Sequence, residues 1–260
     1  MDNQKTENIL NIFSEALASH GLNVLSTDEQ GFMLIQKGED TLKINAGNLV
    51  KEYLQTGDDT PAKTLAAALA EHGAEVPRNW EKAKESVYMS FQNHEFDFST
   101  LIHIPVTAML AAVFVYETGG SQVYITQNEL DTWKIDGETL RDQAFANAEA
   151  LLRQSSINAT AVEDHELIYI DTEAHALKGA LLFSYGFKEQ MGVQLGYPFY
   201  GIFPARDFFY VFAEANLDFF CNRLGGVVKE EYLATGYPAT TEILKFTQDD
   251  VTAIGAYEIE

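Results

Sequence analysis

The stretch GYPFYGIFPARDFFYVFA, residues 196–213, decides how this chain is read. It opens on Gly196-Tyr197-Pro198, a triplet suited to ending a helix, because glycine adopts positive φ readily and proline cannot continue the helical ladder. Two apolar runs follow, Phe199–Phe203 and Phe208–Ala213, separated by the turn Pro204-Ala205-Arg206-Asp207. That pattern predicts a β-hairpin. Alternation puts Phe199, Gly201 and Phe203 on one face of the first strand and Tyr200 and Ile202 on the other. Both faces are apolar, so the strand is either central and covered twice or partly an interface.

The triplet recurs at Gly236-Tyr237-Pro238, again ahead of a predicted hairpin, Glu242–Thr247 and Val251–Tyr257 around Asp249-Asp250. Working back toward the N-terminus, Asn158–Val162 and Glu166–Asp171 read as a third hairpin. Ala111–Glu117 and Gln122–Thr126 flank Gly119-Gly120 as a fourth. Helices are predicted between them over 137–153, with Asp136 as N-cap, and over 174–191 and 215–234. The unit is a hairpin followed by a helix, used three times and closed by a last hairpin. One continuous, mostly antiparallel sheet with helical cover follows, an α+β architecture. Gly225-Gly226 lies inside the last of these helices, where either the helix kinks or another element packs against bare backbone, the second being the favoured reading.

Residues 1–86 form a smaller α-β-β-β-α-α block, and residues 87–260 the hairpin-helix domain. The first helix runs from Thr6 to His20, followed by strands Asn23–Ser26, Phe32–Gln36 and Thr41–Asn45. Helices follow over Leu49–Leu54, from Thr60 to His72 with the Thr60 hydroxyl as cap, and around Asn79–Ser86.

The run ELDTWKIDGETLRDQAFANAEALL (129–152), then YPFYGIFPARDFFYVFAEA (197–215), a Gly-Gly-containing helix and a closing hairpin resemble the YtpQ-like family of soluble bacterial proteins. The likeness covers roughly residues 100–257, and residues 1–85 match it in element order. It implies a fold and a cytoplasmic setting, and it brings no reaction with it.

Composition narrows the function. The 260 residues are 46% hydrophobic and 22% charged, as in an ordinary folded protein. The formal net charge is −22, and the acidity is spread over both halves. A uniformly negative surface repels phosphate backbones and anionic lipid, so nucleic acid and membrane are poor partners. The most apolar window, Leu101–Tyr116, is interrupted by His103, Pro105 and Thr107 and is too short to span a bilayer. One cysteine, Cys221, leaves no internal disulfide to rely on. With no signal-peptide pattern at the start, the expected location is cytoplasmic.

No phosphate loop, zinc motif, nucleophile elbow or Cys-x-x-Cys pair occurs, so neither cofactor nor metal is expected. Asp164-His165-Glu166 and Glu173 with His175 flank the two ends of one predicted strand, too far apart to share a metal. Asn147 points to the apolar side of its helix, either fastening a nearby backbone or projecting into a pocket. Arg206-Asp207 reads as a turn with a local ion pair, set among aromatics that suit either a sheet core or a protein contact. Asn147, Tyr200, Arg206, Asp207 and Tyr210 are therefore the candidate binding residues.

The favoured expectation is a non-catalytic module that binds another protein or itself, with a chaperone-like role suggested by the N-terminal element order. The competing one is a hydrolase using carboxylates with His94 or His165 between the two blocks. A third, neutralisation of a basic toxin, rests on the charge alone.

Overall fold

Apolar residues four apart on the first helix, α1 (Asp2–Ser19), organise the N-terminal unit: Ile9, Phe13 and Leu17 are all fully buried. The structure is a computed structural model that describes residues 2–27, 32–37, 40–72, 76–118 and 121–259. Gly21 ends the helix turn at φ +80° and hands the chain to β1 (Asn23–Thr27), β2 (Phe32–Lys37) and β3 (Asp40–Asn45). These pair antiparallel in the order β1-β2-β3. In β2, Met33 and Ile35 face the helices and are buried, whereas Leu34 between them is exposed. Helices α2 (Gly47–Thr56) and α3 (Thr60–His72) complete the layer, with Ala62, Ala66 and Leu69 in the same core. Thr60 is the first residue of α3 rather than the residue before it, and its N–H donates to the Asp58 carboxylate at 2.9 Å; the bonds from Thr60 hold the Asp58 carboxyl below its usual range.

The chain divides into two units, one of residues 1–75, 117–123 and 234–236, the other of 76–116, 124–233 and 237–260. The second begins with the short helix α4 (Trp80–Ala83). Strand β4 (Val87–Asn93) pairs through its whole length with β6 (Leu110–Thr118), and β5 (His103–Pro105) lies on β6's other side. Strand β7 (Ser121–Tyr124) also pairs with β6. The Gly119-Gly120 turn lies outside the described residues. Helices α5 (Gln127–Trp133) and α6 (Gly137–Leu152) follow, and Asp136 caps α6 by accepting the Thr139 N–H at 2.8 Å.

Strands β8 (Ser156–Val162), β9 (His165–Asp171), β10 (Phe199–Ala205), β11 (Phe208–Ala213), β12 (Glu242–Phe246) and β13 (Val251–Ala256) form one antiparallel sheet. Its order is β13-β12-β10-β11-β9-β8. The fold is thus α+β, but only three of the four ribbons share a sheet. The first is drawn away because β4, a strand not anticipated from the sequence, matches β6 residue for residue from Val87↔Tyr116 to Asn93↔Leu110.

Two predicted helices are broken. The 174–191 segment is a 3₁₀ turn, then α7 (Lys178–Leu182) and α8 (Tyr185–Leu195), because Ser184 leaves helical geometry to cap α8. Its buried hydroxyl donates to the Leu181 carbonyl at 2.8 Å and accepts the Phe187 N–H at 3.3 Å. The 215–234 segment divides at Leu224 into α9 (Leu217–Arg223) and α10 (Gly225–Ala234). A Cβ on Gly225 would lie 3.1 Å from the Tyr257 ring, so close packing holds at Gly225 but not at Gly226, which nothing among the described residues approaches, and the helix also breaks directly before the pair.

Strand β10 is buried at all seven positions. Phe199 and Phe203 join the main core with Phe91, Phe114, Leu140, Leu181 and Phe187. Tyr200 and Ile202 face the opposite core, with Phe212, Phe220 and Val228 from β11, α9 and α10. The doubly apolar strand is therefore central and covered twice.

Candidate functional site

Cross-strand register identifies which side chains share a sheet face. Tyr200 opposes Phe212 and Ile202 opposes Tyr210, so Tyr210 and its neighbour Phe208 lie on the α9–α10 face. On β9, Ile168 opposes Val211, which belongs to the other core, so Tyr169 lies on the same face as Tyr210. Helix α9 seats over one end of that face. The His165 ring stacks on Phe219 at 3.7 Å, its Nδ1 lies 2.9 Å from Asn216 Oδ1, and Arg223 pairs with Glu163 at 2.9 Å. Strand β9 runs away from this end, and Phe208, Tyr210 and Tyr169 at the other are each only half-buried. Tyr210 meets Phe208 edge-on at 5.0 Å and Tyr169 at 6.1 Å, an aromatic row with its outer side open.

Beside this row runs β8, the last strand of the sheet. Its pairing with β9 is continuous from Ser156↔Asp171 to Val162↔His165, without a bulge. Its sequence, SINATAV, holds no charge and no proline, and Ala159–Val162 are exposed. Natural proteins blunt such edges with charges, proline or bulges, because a row of unpaired N–H and C=O groups is a template for another strand. The opposite edge has such a device: β12–β13 pairing shifts register between Ile243 and Leu244.

The hairpin turn between β10 and β11 places Arg206 and Asp207. The Arg206 guanidinium lies 3.5 Å over the Tyr237 ring, and the Arg206 N–H donates to the Tyr237 carbonyl at 3.1 Å. Tyr237 and Pro238 of the second triplet thus run along the end of β10, where Ala205 bridges Pro238. Tyr124 lies close by and accepts from Gln92 Nε2 at 3.0 Å. Burial pushes its hydroxyl up to about 12, against the pull of the Arg206 cation. Asp207 is exposed. Burial first, then Asp207 and Glu230, raise the Glu231 carboxyl.

The remaining candidates are interior. Asn147 Nδ2 donates to the Lys84 carbonyl at 2.7 Å and the Val87 carbonyl at 2.8 Å, while its Oδ1 accepts from Gln143 at 2.8 Å. It fastens the α4–β4 connection to α6. Tyr200 is 4% exposed, and its hydroxyl reaches Glu214 at 3.4 Å. Burial, with Glu214 second, raises its hydroxyl above the ordinary tyrosine range.

Of the histidines, His20, His94, His103 and His175 are exposed and His165 is half-buried; the side chain of His72 is outside the described residues. His165 opens β9 and His175 follows its far end, a strand's length apart. Tyr169 and the open β8 edge were not singled out from the sequence. The signal for Tyr169 lay in its alternation with Ile168 and Ile170. No family model, curated protein or solved structure matches the chain. No helix among the described residues is long and apolar enough to cross a membrane.

Proposed function

We propose that this chain is a non-catalytic protein-binding module that holds its partner at the open end of the six-stranded sheet. The observation that supports this is the unblunted β8 edge lying beside the half-buried Tyr169–Tyr210–Phe208 row. Aromatic side chains with one open side bring large contact area at low entropic cost, which is why they anchor protein contacts. An edge strand adds main-chain hydrogen bonds that depend little on the partner's side chains, proline aside. Of the candidates drawn from the sequence, Tyr210 and Asp207 belong to this surface, Arg206 shapes its turn and Tyr200 is buried on the same sheet face, whereas Asn147 lies elsewhere, fastening α6 to the α4–β4 connection. The same proposal places the chain in the cytoplasm and residues 100–257 with the YtpQ-like family.

The test is chemical cross-linking in native lysate with mapping of the cross-linked peptides. The proposal expects a stoichiometric protein cross-linked to residues 156–171 or 207–210 and lost in the Y169A/Y210A double variant. Absence of any stoichiometric partner, together with a monomeric scattering profile, would sink it.

A further inference from the structure

We infer that the occupant of the β8 edge is an extended, lysine- or arginine-rich segment of another protein, which adds to the sheet as a seventh strand. The inference rests on the protein-binding reading above and gives the partner its chemistry. Two observations carry it. One is the edge itself: seven residues without charge, proline or bulge, terminating a sheet whose other edge is irregular.

The other is the charge around that edge. Residues 156–173, the β8–β9 hairpin and its exit, contain Glu163, Asp164, Glu166, Asp171 and Glu173 and neither lysine nor arginine. All five carboxylates are exposed, and one of them, Glu163, is paired with Arg223. Glu163 and Asp164 stand at one end of the strand pair, Asp171 and Glu173 at the other, and Glu166 opposes Ala161 between them. A strand laid along β8 therefore has carboxylates near both of its ends, with the apolar and aromatic residues of β9 between them.

A second copy of this chain is disfavoured as the occupant. Pairing β8 with β8 would set the same acidic groups against each other, between two bodies of net charge −22 each. An acidic or neutral segment gains nothing from the surrounding field. A basic one is both steered to the edge and held there. Side chains on one side of the added strand would lie over the Asn158–Tyr169 side of the sheet, where an apolar or aromatic residue meets the open side of the Tyr169–Tyr210 row.

The experiment uses the full chain and three labelled nine-residue peptides in a fluorescence-anisotropy titration. The first alternates lysine with valine and threonine. In the second each lysine is replaced by glutamate. The third is the lysine peptide with alternate backbone nitrogens methylated, which keeps the charge and removes the donors a new strand needs. The lysine peptide is expected to bind, at least about tenfold more tightly than either control, a difference of about 1.4 kcal/mol. Binding should weaken as salt is raised and should slow amide exchange across 156–162. A159K and T160K, two separate exposed positions on the edge, should each weaken the lysine peptide about tenfold.

Equal binding of the glutamate or the methylated peptide overturns the inference, as does binding that leaves 156–162 unprotected or that both lysine variants tolerate. If a stoichiometric partner cross-links to the aromatic row while the lysine peptide does not bind, strand addition by a basic segment fails and the protein-binding reading stands. If neither occurs, both fail.

Discussion

Replacing Asn147 by alanine tests the fastening of α6 to the chain that enters the four-stranded sheet. The side chain is 9% exposed and makes three hydrogen bonds, two of them donated to the Lys84 and Val87 carbonyls. Alanine leaves both carbonyls facing a small void from which water is largely excluded. An unsatisfied buried acceptor costs about 1–3 kcal/mol, and partial relaxation of two such groups gives a total of about 2–4 kcal/mol. For a unit of this size that corresponds to a fall in Tm of about 5–15 °C. Asn147→Asp should be worse at pH 7, because a carboxylate has no donor for either carbonyl.

The assay is built into the chain. Its two tryptophans, Trp80 and Trp133, lie 5.1 Å apart, and Trp133 Nε1 donates to the Pro77 carbonyl at 2.7 Å. Both sit beside the segment that Asn147 holds, so tryptophan emission during urea unfolding reports on that region. A loss below about 0.5 kcal/mol for Asn147→Ala, the range of an ordinary surface change, would refute the fastening role.

Gly179→Ala places a Cβ 2.7 Å from Phe203 Cζ and 3.0 Å from the Phe91 ring, and this overpacking should cost about 1–3 kcal/mol in the same unfolding experiment. Thr107 and Thr240 both donate to the Glu242 carboxylate, which is 4% exposed, so T107V/T240V should destabilise by about 2–4 kcal/mol in calorimetry, and E242Q should restore part of that loss in the T107V/T240V background. Burial raises the Tyr124 hydroxyl to about 12, so the folded state holds this proton more tightly than the unfolded chain does. The associated stability is complete below the unfolded value near 10 and is lost as pH rises toward about 12. Y124F should flatten that decline in stability, and it should remove one late-titrating tyrosine from the ultraviolet titration.

The elements that could be read in advance are those with local punctuation. Asp136 capping α6, the turn at 204–207, and Gly196 at φ +81° ending α8 each announce a boundary within a few residues. The double burial of β10 was legible as apolar alternation on both faces. What was not legible depends on partners distant in sequence. Strand β4 follows directly on α4 and a 3₁₀ turn with no glycine or proline to mark it, and it becomes a strand because β6 pairs with it across seven positions. The break in the 174–191 segment turns on one buried serine whose hydroxyl finds helix termini on both sides. The weak β pattern of SINATAV has the same kind of cause: an edge strand exposed over most of its length has no reason to alternate. That weakness is itself the mark of the surface proposed to bind. Asn147, by contrast, stood out as a polar residue on an apolar helix side, and its backbone-fastening alternative is the arrangement found.

The most direct check is residue-resolved amide exchange in the unliganded chain, comparing β8 with β10. Slow exchange is expected throughout Phe199–Ile202, which is paired on both sides. In Ser156–Val162 the account predicts an alternation, with slow amides bonded to β9 and fast amides pointing to solvent. Uniform protection of Ser156–Val162, or fast exchange in β10, would contradict a sheet that is closed at its centre and open at this edge.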